Sequence, residues 1–253
     1  MNKQQRYHII VSVLCFVLIA AVDIASGNQY HMGKPIGPVN YLVKKALDNR
    51  IILVGTHHKN DHIHDIIISS LPLLAESAGV NTLFMEIPSS QQEAIDSFLK
   101  QKADVENIRI PEIIASASYR EILFSARSLG MNIIAMDRER PDRMSRDKCM
   151  SLSTSSYLKV HPQSKGVIIV GERHVLKNIQ WTFVDEPSLA DYLSDYKTCS
   201  IITWPEALEY RTATAIDIDP ERFKGVKDKT LMSMNTLPHV CLATTADGVI
   251  FVP

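Results

Sequence analysis

From residue 50 onward, short apolar runs rich in Ile and Val alternate with stretches in which apolar residues recur at helical spacing. Such alternation predicts an α/β fold with a largely parallel sheet. The runs Ile51–Val54, Thr82–Ile87, Asn132–Met136, Val167–Val170 and Ser200–Thr203 are apolar at successive positions, which marks strands buried on both faces. Between the first two, Ile63, Ile66, Ile67, Leu71 and Leu74 trace one helical face, with Pro72 a kink or early break. Ser90 to Glu93 and Ser118 to Glu121 each fit a capping box, a hydroxyl and a carboxylate three residues apart that open a helix. At the end of the chain, Val240–Thr244 and Val249–Val252 around Ala246-Asp247-Gly248 read as a β-hairpin closing one sheet edge. The stretch 205–238 is polar, carries scattered prolines and lacks a period, as a long excursion over the sheet would. The expectation is a single domain: a mostly parallel, mixed sheet flanked by helices, with that hairpin at its edge.

Residues Ile9 to Val22 form an almost unbroken apolar run behind Lys3 and Arg6, and Ala25-Ser26-Gly27 follows. This is the layout of a secretory signal peptide, shorter than the roughly 20 residues that span a bilayer comfortably. The chain therefore divides into a leader over 1–27 and a domain over 28–253. The protein is expected to be secreted or periplasmic; the alternative is a membrane anchor made by an uncleaved leader, the sole membrane contact anticipated.

Composition narrows the function classes. Lys and Arg total 27 against 28 Asp and Glu, so the basic excess that phosphate-backbone binding needs is missing, and nucleic acid is not an expected partner. The 4 cysteines form no C-x-x-C pair.

Chemistry should sit just after the strands, because parallel α/β sheets bind ligands outside their carboxyl ends. Those positions are polar here: Gly55-Thr56-His57-His58, Glu86, Asp137-Arg138, and Gly171-Glu172-Arg173-His174. Two segments share the pattern Gly-x-x-His, in which a glycine lets the backbone turn and the third residue projects an imidazole over the sheet. His58, Glu86 and His174, with Glu172 beside them, are the catalytic candidates. The first three could hold a divalent transition metal or act as an acid–base set. Arg120 or Arg138 would orient an anionic or carbonyl group of a small-molecule or peptide substrate, near Tyr119 and Asp137.

These residues resemble a known superfamily. Ile52-Leu53-Val54-Gly55-Thr56-His57-His58 followed by Leu83-Phe84-Met85-Glu86 is similar to the opening of the TraB/Tiki, ChaN-like haem-binding and erythromycin-esterase-like proteins. Tyr119-Arg120 and Ile133-Ile134-Ala135-Met136-Asp137 resemble the central segment, Arg146-Asp147 with Met150 the Arg-Asp-x-x-Met helix of esterase-like members, and Val170-Gly171-Glu172-Arg173-His174 the second Gly-x-x-His. Thr56 departs from the Glu many members carry there. The resemblance implies a hydrolytic site cleaving an ester or amide, metal-dependent or based on His and Glu. The alternative is haem binding without catalysis, with Tyr119 or a His as axial ligand, or a module that grips a partner.

Overall fold

The computed structural model describes residues 35–253 other than 59, 140–143, 180, 182–185, 206–211 and 234–238. The anticipated leader and part of the 205–238 excursion lie outside the described residues. Seven strands form one sheet: β1 (Ile51–Thr56), β2 (Thr82–Pro88), β3 (Asn132–Asp137), β4 (Gly166–Gly171), β5 (Thr198–Pro205), β6 (Thr214–Asp217) and β7 (Gly248–Val252). Their order is β3-β2-β4-β1-β5-β7-β6, parallel throughout except for β6 against β7. All five apolar runs are strands. The helices are α1 (Pro38–Asp48), α2 (Asp61–Ala78), α3 (Gln92–Leu99), α4 (Ala117–Ser128), α5 (Arg146–Val160), α6 (Leu189–Tyr192), α7 (Lys229–Ser233) and α8 (Leu242–Thr245).

The continuous apolar character of the strands has a direct cause. Ile52 and Val54 of β1 pack with Ile169 of β4 and with α1 to α4, whereas the alternating Ile51, Leu53 and Ile168 pack with Met150 and Leu158 of α5 and Leu189 of α6. Both faces of the sheet are covered at its centre, so no position of β1, β2 or β4 has solvent to face. Truncating a fully buried residue such as Ile168 to Ala is worth about 3 kcal/mol on scales for buried aliphatic side chains.

Local signals shift by a few residues. Ser116, not Ser118, caps α4, its hydroxyl accepting the Tyr119 N–H at 3.1 Å. Ser118 lies inside the first turn, where its hydroxyl instead meets Asp61 and the His64 Nδ1. The Ser90 box does not form: α3 starts after a 3-10 turn over Ser89–Gln91 with no side-chain cap, and the Ser90 hydroxyl donates to Glu139. Pro72 sits on the exposed side of α2, which runs through it uninterrupted. The antiparallel edge near the C-terminus is present, but β7 pairs with β6 from the excursion. The Val240–Thr244 run supplies the short α8 in place of a strand, its apolar members Leu242 and Val240 packing beneath the sheet.

Candidate functional site

The register of the sheet brings the two Gly-x-x-His segments to one level. β1 and β4 pair with Thr56 opposite Gly171, so the histidines that follow emerge side by side at the carboxyl end of adjacent strands. Close approach explains both glycines. A Cβ on Gly55 would lie 2.9 Å from the Glu172 Cα, and one on Gly171 would lie 2.8 Å from the His58 Cε1 and 3.7 Å from the His174 Cδ2. The His58 and His174 rings therefore gather over Gly171.

Glu86, near the end of β2, completes this group. Its Oε2 accepts the Gly171 N–H at 2.8 Å, its Oε1 accepts Arg146 Nη2 at 2.5 Å, and the His174 Nε2 stands 3.9 Å from Oε1. Arg146, the first residue of α5, also donates through Nε to Asp137 Oδ1 at 3.1 Å, so one guanidinium links the carboxylates that end β2 and β3. The next residue, Asp147, holds the far side of His174: Nδ1 lies 2.7 Å from Asp147 Oδ1, which also accepts the Leu189 N–H at 2.8 Å. Burial opposes ionisation of Asp147, yet the His174 ring, the Arg173 guanidinium and the Leu189 N–H together hold its carboxyl below the usual carboxylate range. An ionised Asp147 fixes the His174 proton on Nδ1 and leaves Nε2 as the basic nitrogen, facing Glu86.

His58 differs from His174 in being half-buried, and its Nδ1 is enclosed without a hydrogen-bond partner. Burial pushes its pKa below the ordinary imidazole value; Glu86 pulls the other way, and His174, Arg146 and His57 add to the lowering. His58 is thus neutral at pH 7, with a lone pair available.

The sequence groups His58, Glu86 and His174 with Glu172, Asp137 and Arg120 near them; the structure brings His58, Glu86, His174 and Asp137 together, whereas Glu172 turns to His57. As a metal centre the set does not fit. Both Glu86 oxygens are committed, one of them to a guanidinium beside which a cation would sit, and His174 Nδ1 is committed to Asp147. Among the described residues no group of three or more His, Cys, Asp or Glu is arranged to hold a metal ion. Of the arginines singled out, Arg138 turns to the Met144 carbonyl and Arg120 keeps one buried guanidinium nitrogen, Nη1, without a partner, while Arg146 takes the place between the carboxylates. Tyr119 is buried behind the strands; burial first, then Glu86 and Asp137, pushes its phenol well above the ordinary value. Arg146 and Asp147 carry no signal in periodicity or composition; their trace is the Arg-Asp-x-x-Met resemblance.

Glu172 belongs to a second cluster. Its carboxyl points away from Glu86 partners and meets His57, with Oε2 2.7 Å from the ring Nε2. That nitrogen also lies 3.2 Å from the Thr203 carbonyl, which can only accept, so the ring proton resides on Nε2 and is aimed at Thr203. Thr230 of α7 donates to Glu172 Oε1 at 3.1 Å, and Asp228, just before α7, faces the same carboxyl. Burial raises the Glu172 pKa. Burial together with Glu172 pushes Asp228 up to about 8.

No family model and no curated protein matches the sequence. Solved structures do match the fold. The erythromycin esterase EreC in its open conformation superposes with a TM-score of 0.62 at 9% identity, covering 85% of this chain and 93% of that one. A ChaN of Campylobacter jejuni, described with cofacial haem binding, gives 0.52 at 12% identity over 83% and 90%. The fold is that of the erythromycin esterase and ChaN. The type III effector HopBA1 shares this esterase- and ChaN-like fold as well, at 0.56 and 16% identity over 89% of this chain and 98% of that one.

Proposed function

We propose that this chain is an exported hydrolase that cleaves an ester or amide bond with a metal-free His/Glu/Arg site at the carboxyl ends of β1, β2 and β4. The observation that carries the reading is the Asp147–His174 pair, 2.7 Å apart and buried, which presents His174 Nε2 beside Glu86 and under the neutral His58. His58 accepts a proton from a water as its oxygen attacks the carbonyl carbon. The exposed part of Arg146, held between Glu86 and Asp137, donates to the carbonyl oxygen as it gains charge. His58 then passes that same proton to the departing oxygen or nitrogen, while His174, its Nδ1 proton held by Asp147, accepts a hydrogen bond from the attacking water at Nε2 and orients it. Water is consumed, and one acid and one alcohol or amine are released. Export rests on the apolar run Ile9–Val22 and the small residues after it.

The test is hydrolysis of p-nitrophenyl acetate and of a fluorogenic peptide by the purified domain after chelation. Turnover that survives chelation and falls at least ~100-fold in His58→Ala and His174→Ala supports the reading, since single acid–base groups contribute ~10²–10⁴. Haem binding, the reading that ChaN suggests, is scored on the same material: a Soret band with no turnover overturns the hydrolase.

A further inference from the structure

The second cluster has no place in that mechanism, and two of its buried oxygens accept no hydrogen bond. Glu172 and Asp228 are 5% and 3% exposed, and each keeps one enclosed oxygen, Oε2 and Oδ2, that accepts no hydrogen bond: Oε2 lies 2.7 Å from His57 Nε2, but that N–H is directed at the Thr203 carbonyl. Their remaining oxygens are occupied, Glu172 Oε1 by the Thr230 hydroxyl and Asp228 Oδ1 by the Leu231 N–H at 2.6 Å. Two buried carboxylates facing each other with empty acceptor oxygens would each bear an uncompensated desolvation cost as well as mutual repulsion. A single proton between them removes both. A metal ion would do so too, but His57, Glu172 and Asp228 are not arranged to hold one.

The consequence is mechanical, because the two partners come from different parts of the chain. Glu172 ends β4, whereas Asp228 belongs to the segment Ile218–Ser233, which crosses the sheet end between β6 and the next undescribed stretch. This segment is held below by Phe223 and Leu231 in the core, and at the corner by the polar contacts of Asp228 and Thr230 with Glu172. The ionisable group facing the pair is His57 from the end of β1, and Lys229 from the segment itself acts on His57.

We propose that Glu172 and Asp228 share a proton that clasps the Ile218–Ser233 segment against the carboxyl ends of β1 and β4, and that losing this proton loosens the segment. The sign follows from Asp228, whose folded pKa is raised to about 8. The stabilisation is complete below the ordinary carboxyl pKa and is lost as the pH rises through about 8. His57 works in the opposite sense, since burial lowers its pKa and its protonation below the ordinary imidazole value opposes the closed form. The clasp is therefore tightest in mildly acidic solution and loosens towards alkaline pH. This inference does not depend on the hydrolase reading, and its readout is structural.

Limited trypsinolysis of the full chain tests it, with cuts after Lys227 and Lys229 quantified by mass spectrometry. Each rate is divided by that of a synthetic peptide of the same sequence at the same pH, which cancels the protease's own titration. From pH 6 to pH 8.5 the normalised rate should rise at least ~10-fold, the equivalent of one pK unit. In Asp228→Asn, whose amide supplies a permanent donor to Glu172, and in Glu172→Gln, the same change should stay within ~2-fold. A wild-type rate that does not change with pH, or variants that rise in parallel with it, would overturn the clasp. Should Asp228→Asn fail to fold, Glu172→Gln and the carboxyl carbon resonances of the wild type decide: a carboxyl titrating far above the ordinary Asp and Glu range supports the proposal, and its absence refutes it. Tightening of the segment at pH 8.5 by zinc or manganese would overturn the shared proton in favour of a cation.

Discussion

Two clusters of buried polar groups sit on neighbouring residues and are built on opposite terms. Around His174 the charges are paired: Asp147 has His174, the Leu189 N–H and Arg173, and Glu86 has Arg146 and the Gly171 N–H. Around His57 the acids face acids, and two buried oxygens accept no hydrogen bond, one of them close to the His57 ring. His57 and His58 are adjacent in the chain, yet one serves each cluster. A site that must hold one geometry through a reaction cycle is gained by pairing every charge, whereas a contact that depends on a proton needs a pair that is incomplete without it.

The largest expected effect comes from breaking the paired cluster. Asp147→Ala leaves His174 without its anchor and the Leu189 N–H without its acceptor, and should cost about 3 kcal/mol in urea unfolding, in the range for a severed buried pair. Equal midpoints for variant and wild type would show that Asp147 carries no structural weight.

His58 and His174 should separate activity from stability. His174→Ala strands a buried carboxylate and should lose about 2 kcal/mol together with turnover. His58→Ala, from a half-buried ring with an unpartnered nitrogen, should lose turnover while staying within about 0.5 kcal/mol of the wild type. Comparable stability losses in both would contradict the contrast.

The clusters should also fail at opposite ends of the pH scale. Asp147 has a lowered folded pKa, so its contribution is present above the ordinary carboxyl value and is lost as the pH falls through the lowered one. Asp228 loses its contribution on the way up. Asp147→Asn should therefore flatten the acid limb of a stability–pH profile measured by urea midpoints, and leave the alkaline limb as in the wild type.

Gly171→Ala sharpens the comparison most gently. The new methyl would meet the far end of the His58 ring, 2.8 Å from Cε1, which can turn aside. Stability should change by less than about 1 kcal/mol while turnover falls, and unchanged turnover would place the working position of His58 elsewhere.

How much of this could be read in the sequence follows the same divide. The strands were legible because both faces are buried, and the His58, Glu86 and His174 rim followed from the rule that parallel strands present their carboxyl ends together. One helix start was off by two residues, because Ser118 was claimed by Asp61 and His64 and Ser116 caps instead. Asp147 and Arg146 showed only through likeness to a known motif, since a charged residue opening a helix ordinarily looks like a solvated end. Asp228 was invisible. Its partner is 56 positions away, and the contact joins two like charges, which no pattern of complementary residues would suggest.

The strand order carries a further consequence, for the order of events during synthesis. β1, at the middle of the sheet, has β4 and β5 as its neighbours, and the first of these begins at Gly166. Until a ribosome has released more than 110 residues after β1, a six-residue segment with every side chain destined for the interior has no edge to join. Contacts so distant in sequence close slowly, and bare apolar strands invite pairing with other chains. Across that interval the nascent chain carries an unpaired apolar strand, the kind of segment that chaperones shield.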